Sequence, residues 1–144
     1  MPTSATIHER PVDIQPPHSD AKVFVHPKFR MWLRPDGIVQ FVWVPNVQIN
    51  LEDALESTKA MAELSGGRRS PLFVDARDAG QMDRPSRGEF ARRGDIVSAV
   101  GLTTGTALSR MMANFFISVS KPIVPTRLFD TERAAVAWLI DFVE

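Results

Sequence analysis

Apolar positions along the chain change their texture near Val23. Before it they are scattered among Pro2, Pro11, Pro16, Pro17 and polar residues without forming a face, which predicts a flexible tail over residues 1–22. Val23-Phe24-Val25 reads as a short extra strand or a packing segment. Phe29 to Arg34 and Ile38 to Val44 then read as two strands joined by Pro35-Asp36-Gly37, whose turn chemistry predicts an antiparallel hairpin. In the second strand Val39, Phe41 and Trp43 alternate with Ile38, Gln40 and Val42. Two largely apolar faces predict a strand covered on both sides.

The period then becomes helical. Asn50 is placed to cap a helix with Glu52 and Asp53 in its first turn, and Gly66-Gly67 stops it. Its expected inward stripe is Leu51, Ala54, Leu55, Thr58, Met61 and Ala62. Leu72-Phe73-Val74 follows as a central parallel strand. In the Arg-rich segment Asp75–Arg93, Ser86 and Glu89 have capping-box spacing for a short helix ending at Gly94. Ile96–Leu102 is a further buried strand. The loop Thr103–Thr106 leads into a helix from Ala107 to about Val119, with an apolar stripe of Leu108, Met111, Met112, Phe115 and Phe116 expected in the core. A last strand ends near Phe129. Asp130 is expected to cap the final helix, whose Ala135, Val136, Leu139 and Phe142 face inward. The order β-β-α-β-α-β-α-β-α predicts one α/β domain, residues 23–144, with a mostly parallel sheet and an antiparallel N-terminal hairpin.

Composition narrows the chemistry. The 144 residues contain no Cys, which removes disulfides, thiolate metal sites and a cysteine nucleophile. Lys+Arg and Asp+Glu number 17 each, so nothing suggests bulk nucleic-acid binding. No secretory signal is readable in the first thirty residues, and no apolar run approaches the roughly 20 residues a bilayer requires; a cytoplasmic protein with no membrane association is expected. The balance is uneven along the chain: residues 68–93 hold seven Arg against four acids. Arg forks suit anions, and a solvated helix face explains the run equally well.

Catalytic motifs are missing: no nucleophile elbow, no phosphate loop and no dinucleotide fingerprint. Gly101 and Gly105 are expected at turns that need positive φ. His8, His18 and His26 lie in or just after the tail, too scattered for a metal site. Asp75, Asp78 and Asp83 could in principle hold Mg²⁺, but Arg77, Arg84 and Arg87 are interleaved with them, and local ion pairing is the expectation. No metal, no cofactor and no reaction are assigned. Arg110 and Asn114 lie off the Met/Phe stripe and could reach the carboxyl ends of the strands.

Leu51-Glu52-Asp53-Ala54, Pro71-Leu72-Phe73-Val74-Asp75, Ala113-Asn114-Phe115-Phe116, Lys121-Pro122, Pro125-Thr126-Arg127-Leu128-Phe129 and Ala137-Trp138-Leu139 carry a resemblance. The chain resembles the STAS domain, the fold of anti-sigma-factor antagonists, and more closely a group of uncharacterised bacterial STAS/SEC14-like proteins, from about residue 29 to the end. In STAS antagonists a strand-end acid is followed by an acid and a phosphorylatable serine at a helix start. Here Asp75 and Asp83 match the acids, and the serine position holds Arg84, followed by Pro85. The switch is therefore not carried over. Ser86 is the nearest hydroxyl, where a phosphate would lie between Arg84 and Arg87.

The first expectation is a non-enzymatic domain that binds a protein partner through Asp83, Arg84, Ser86, Arg87, Arg92, Thr103, Thr104 and Thr106. The alternative, implied by SEC14-like relatives that bind lipids in an apolar cavity, is a small-molecule or lipid carrier with Met111, Met112, Asn114, Phe115 and Phe116 at its pocket. Pairing into a homodimer through the strand that carries Trp32 is a further expectation.

Overall fold

The computed structural model describes residues 22–77 and 80–144. Apart from Lys22, the expected tail lies outside these residues, as do His8, His18 and Asp78. One six-stranded sheet runs in chain order: β1 (Val23–His26), β2 (Phe29–Leu33), β3 (Val39–Trp43), β4 (Ser70–Asp75), β5 (Val97–Thr103) and β6 (Thr126–Phe129). β1, β2 and β3 pair antiparallel, and β3 to β6 pair parallel. The helices are α1 (Leu51–Ser65), α2 (Arg84–Ala91), α3 (Ala107–Phe115) and α4 (Glu132–Leu139). A π-helical segment, Phe116–Ser120, continues α3. The predicted α/β order stands, with β1 added as a strand at the antiparallel edge. Among the described residues no helix is long and apolar enough to cross a membrane.

All five residues of β3 are buried, as its two-faced pattern requires. On one face Met31, Phe41, Val74 and Leu102 stand in register across β2 to β5. On the other, Ile38, Phe73 and Ala99 pack with Ala135 and Leu139 of α4. Gly101 lies within β5 rather than at a positive-φ turn, and a Cβ there would stand 3.1 Å from Leu139 Cδ1. The small residue lets α4 settle onto the sheet. Gly105 is not at positive φ either; it sits against Arg77. Trp32 is buried on β2, which is flanked by β1 and β3, so the expected exposed strand for self-pairing is not there.

α1 starts as predicted. Asn50 Oδ1 accepts from the Asp53 amide at 3.0 Å, Asp53 Oδ2 accepts from the Asn50 amide, and Lys28 Nζ donates to Asp53 Oδ2 at 2.7 Å. Gly66 ends it in the left-handed region, at φ 66°. Its buried residues are Asp53, Ala54, Ser57, Ala60, Met61, Leu64 and Ser65, whereas Leu51 and Leu55 are exposed. Small Ala and Ser side chains with Met61 and Leu64, rather than Leu51 and Leu55, form the buried face. His26, just after the expected tail, ends β1; its Nε2 lies 2.6 Å from Glu56 Oε1 and its ring stacks on Phe29. Thr131, not Asp130, caps α4, accepting from the Ala134 amide at 3.1 Å.

Candidate functional site

The parallel strands send their carboxyl ends to one side, where open α/β sheets place their sites. Two loops meet there backbone to backbone. The Ile49 amide donates to Gln81 O at 2.8 Å, and the Asp83 amide donates to Ile49 O at 3.0 Å. Gly80 allows that approach, because a Cβ on it would lie 2.0 Å from Val47 O. Asp83 then caps α2: its Oδ1 accepts from the Ser86 amide at 3.0 Å, with Pro85 in the first turn where its missing N–H costs nothing. The bonds from Ser86 and the positive charge of Arg87 hold the Asp83 carboxyl below its ordinary value of 3.8.

This corrects the expected start of α2. Ser86 is not the cap but lies one turn inside and is completely buried; its hydroxyl donates toward Asp83 O at 2.8 Å and Ile49 O at 3.3 Å. The helix ends at Ala91 with Arg92 as C-cap, short of Gly94. Arg92 and Arg93 both turn back to the buried Glu89, at 2.7 and 3.4 Å. Asp75, at the end of β4, is paired to Arg77 at 2.6 Å. Thr103 and Thr104 are buried, and Thr106 is the exposed N-cap of α3, in a reciprocal pair with Ser109. Of the eight residues expected to meet a partner, Asp83, Arg84, Arg92 and Thr106 are exposed, Arg87 is partly so, and the other three are inside.

The largest departure from expectation is α3. Its Met/Phe stripe was expected to fill the core, yet Ser109 is its only buried residue. Leu108, Met111 and Phe115 are 57, 62 and 46% exposed. The strands make at most sparse contact with α3, whose main neighbour is its own π-helical extension. Between this helix and the sheet lies a cavity of about 460 Å³. Its floor includes Met31, Phe41, Trp43, Val74 and Leu102; α1 contributes Ser57, Thr58 and Met61, and α2 contributes Arg87 and Phe90. Met111, Met112, Phe115 and Phe116 form the roof. Asn114 is exposed and does not line it, and Arg110 points instead toward Asp130, 3.5 Å away. Native interiors are close-packed with few voids larger than a water molecule, so a space of this size is a pocket and not a packing defect.

The charged residues on the cavity wall are Arg87 and Arg93. Arg93 is already answered by Glu89 and by Asp95, 3.6 Å away. Its buried Nε stands near Glu89 without the alignment of a hydrogen bond. Arg87 donates to Met82 O at 2.7 Å and places its guanidinium 5.1 Å from the centre of the Phe115 ring, so it links α2 to the roof. The charge-run reading did not separate these two arginines from the others. Their spacing from Phe90, three residues either way, was the available signal, since Phe90 faces the apolar side.

The sequence profile of a domain of unknown function, DUF7793, matches residues 31–143. The chain belongs to the DUF7793 family. None of the curated proteins matches it. Among solved structures, it is similar to an uncharacterised DUF3478-family protein with a SpoIIAA-like fold from Shewanella loihica PV-4. The two share 12% identity over 83% of this chain and 91% of that one, with a TM-score of 0.50. A protein of unknown function from Arthrobacter sp. FB24 is 30% identical, covering 76% of this chain and 96% of that one, with a TM-score of 0.31. The likeness to the Shewanella protein gives this DUF7793 domain a SpoIIAA-like, that is STAS-like, fold.

Proposed function

We propose that the domain is a non-enzymatic binding module that takes an apolar small molecule or a single lipid chain between its sheet and α3. The observation that carries this reading is the cavity of about 460 Å³ with mainly apolar walls, within the roughly 300–1,000 Å³ of small-molecule pockets. Trp43 lies on its floor and supplies the readout. Titration with the neutral probe N-phenyl-1-naphthylamine should saturate and change Trp43 emission, and Met112→Trp, which fills the space from the roof, should abolish binding. A wild-type protein that shows no saturable binding counts against the proposal.

A protein partner is the second reading, favoured by the outer edge of α3 and its extension, where Leu108, Met111 and Val119 are 57, 62 and 57% exposed. Arg84 begins α2 and Arg92 caps its other end, and both are exposed. Reversing both to Glu should release such a partner in a pull-down, and retention through the reversal argues against it.

A further inference from the structure

Resting on the cavity reading, we infer that the occupant is a single-chain amphiphile with an anionic carboxylate head, and that Arg87 holds that head at the rim. No acid lines the cavity among the described residues, and both charged lining groups are arginines. They are not equivalent. Arg93 lies between Glu89 and Asp95, whereas Arg87 has no carboxylate within ion-pair distance among the described residues. Glu89, on the same helix, is occupied by Arg92 and Arg93. Arg87 feels the charge of Asp83 without an ion pair to it, so it brings a guanidinium with no bound carboxylate to an apolar pocket, and an anion is the group that complements it.

Position supports the same assignment. Arg87 and Phe115 are each partly exposed, so their contact lies where the cavity meets water. A head bound there keeps its hydration on one side while the tail runs inward over Phe41 and Trp43. One guanidinium nitrogen is committed to Met82 O at 2.7 Å, which leaves a two-pronged edge suited to a carboxylate. A phosphate, with more charge and more oxygens, would call for a second cation on the cavity wall, where Arg93 is already paired to Glu89 and Asp95. At roughly 30 Å³ for each water-sized group, a cavity of about 460 Å³ takes on the order of fifteen such groups. That matches a medium-length chain.

Binding of dodecanoate, dodecan-1-ol and dodecyl phosphate is measured at pH 8 by Trp43 fluorescence and calorimetry. Wild-type protein should hold dodecanoate about 10- to 100-fold more tightly than the alcohol, the range that charged hydrogen bonds supply, and more tightly than the phosphate. Arg87→Met should bring the carboxylate-to-alcohol ratio close to one while the alcohol still binds, Arg87→Lys should keep part of it, and Arg93→Met should leave it unchanged. Equal binding of acid and alcohol to wild type overturns the inference, as does tighter binding of the phosphate. So does a ratio that survives Arg87→Met or is lost in Arg93→Met. If the Arg87 variants do not fold, the wild-type ratios still decide. Failure of all three amphiphiles and of the neutral probe instead removes the cavity reading itself.

Discussion

Leu139→Ala and Met112→Ala remove side chains from opposite sides of the sheet and should have very different consequences. Leu139 is fully buried, packed with Ile38, Phe73, Ala99 and Ala135. Its Cδ1 and Cγ lie 3.1 and 3.3 Å from the position a Cβ on Gly101 would take, so on that side the gap is walled by backbone with no side chain to move into it. Three carbons at about 0.8 kcal/mol each lose their burial, and a void remains, for a total of about 3–4 kcal/mol. Met112 is only half-buried and faces space that is already open, so its truncation should cost less than about 1 kcal/mol. Urea unfolding followed by Trp fluorescence measures both, provided the slope with denaturant is unchanged. In a thermal melt the Leu139 variant should fall by about 10–15 °C and the Met112 variant by a few degrees at most. Equal losses for the two variants would refute the claim that α4 is packed and α3 stands off.

Further outcomes follow from the loops and caps. Gly80→Ala should cost about 1–3 kcal/mol or more in a thermal melt, because both colliding groups are backbone and the strain has no rotamer to relieve it. Ser86→Asp, the usual imitation of a phosphoserine, should destabilise by more than about 3 kcal/mol rather than switch the domain, since it places a charge where Ser86 has no exposure; a stable variant with an unchanged melt would contradict this. Asp83 has a folded pKa below its unfolded value near 3.8, so its contribution is present above that pH and is lost as pH falls through the lower folded value. Asp83→Asn, which keeps the cap, should flatten acid unfolding below pH 4, as followed by circular dichroism. Amide exchange should be faster in α3 than in α4; the reverse order would place stability on the wrong face.

What was legible in the sequence was what local chemistry decides. The alternation in β3 foretold a strand buried on both faces, and Asn50 and Gly66-Gly67 foretold both ends of α1. The start of α2 was misread because Ser86 and Glu89 imitate a capping box, although Pro85 already marked the first turn and put the cap before it. Helical spacing in α3 correctly grouped its apolar residues, but the apolar arc is wider than the sheet side it faces. Periodicity reports which side of a helix is apolar, not how far the helix stands from its neighbour. The inward face of α1 was read only in part, through Ala54 and Met61: Ser57 and Ala60 are weak signals of burial beside Leu51 and Leu55, yet small residues are what close approach needs. Arg87 was legible in the sequence as a partner contact beside Arg84 and Arg92, and only the fold put it on the cavity wall.

The two sides of the sheet answer to different constraints on sequence change. On the α4 side a substitution must keep volume to within a methyl group, because Gly101 and Leu139 leave no slack. On the α3 side the roof residues can grow, shrink or shift along the helix while the fold persists, since the strands scarcely lean on them. One half of the molecule thus fixes the architecture while the other is free to vary in size and shape, so the open face can change without renegotiating stability.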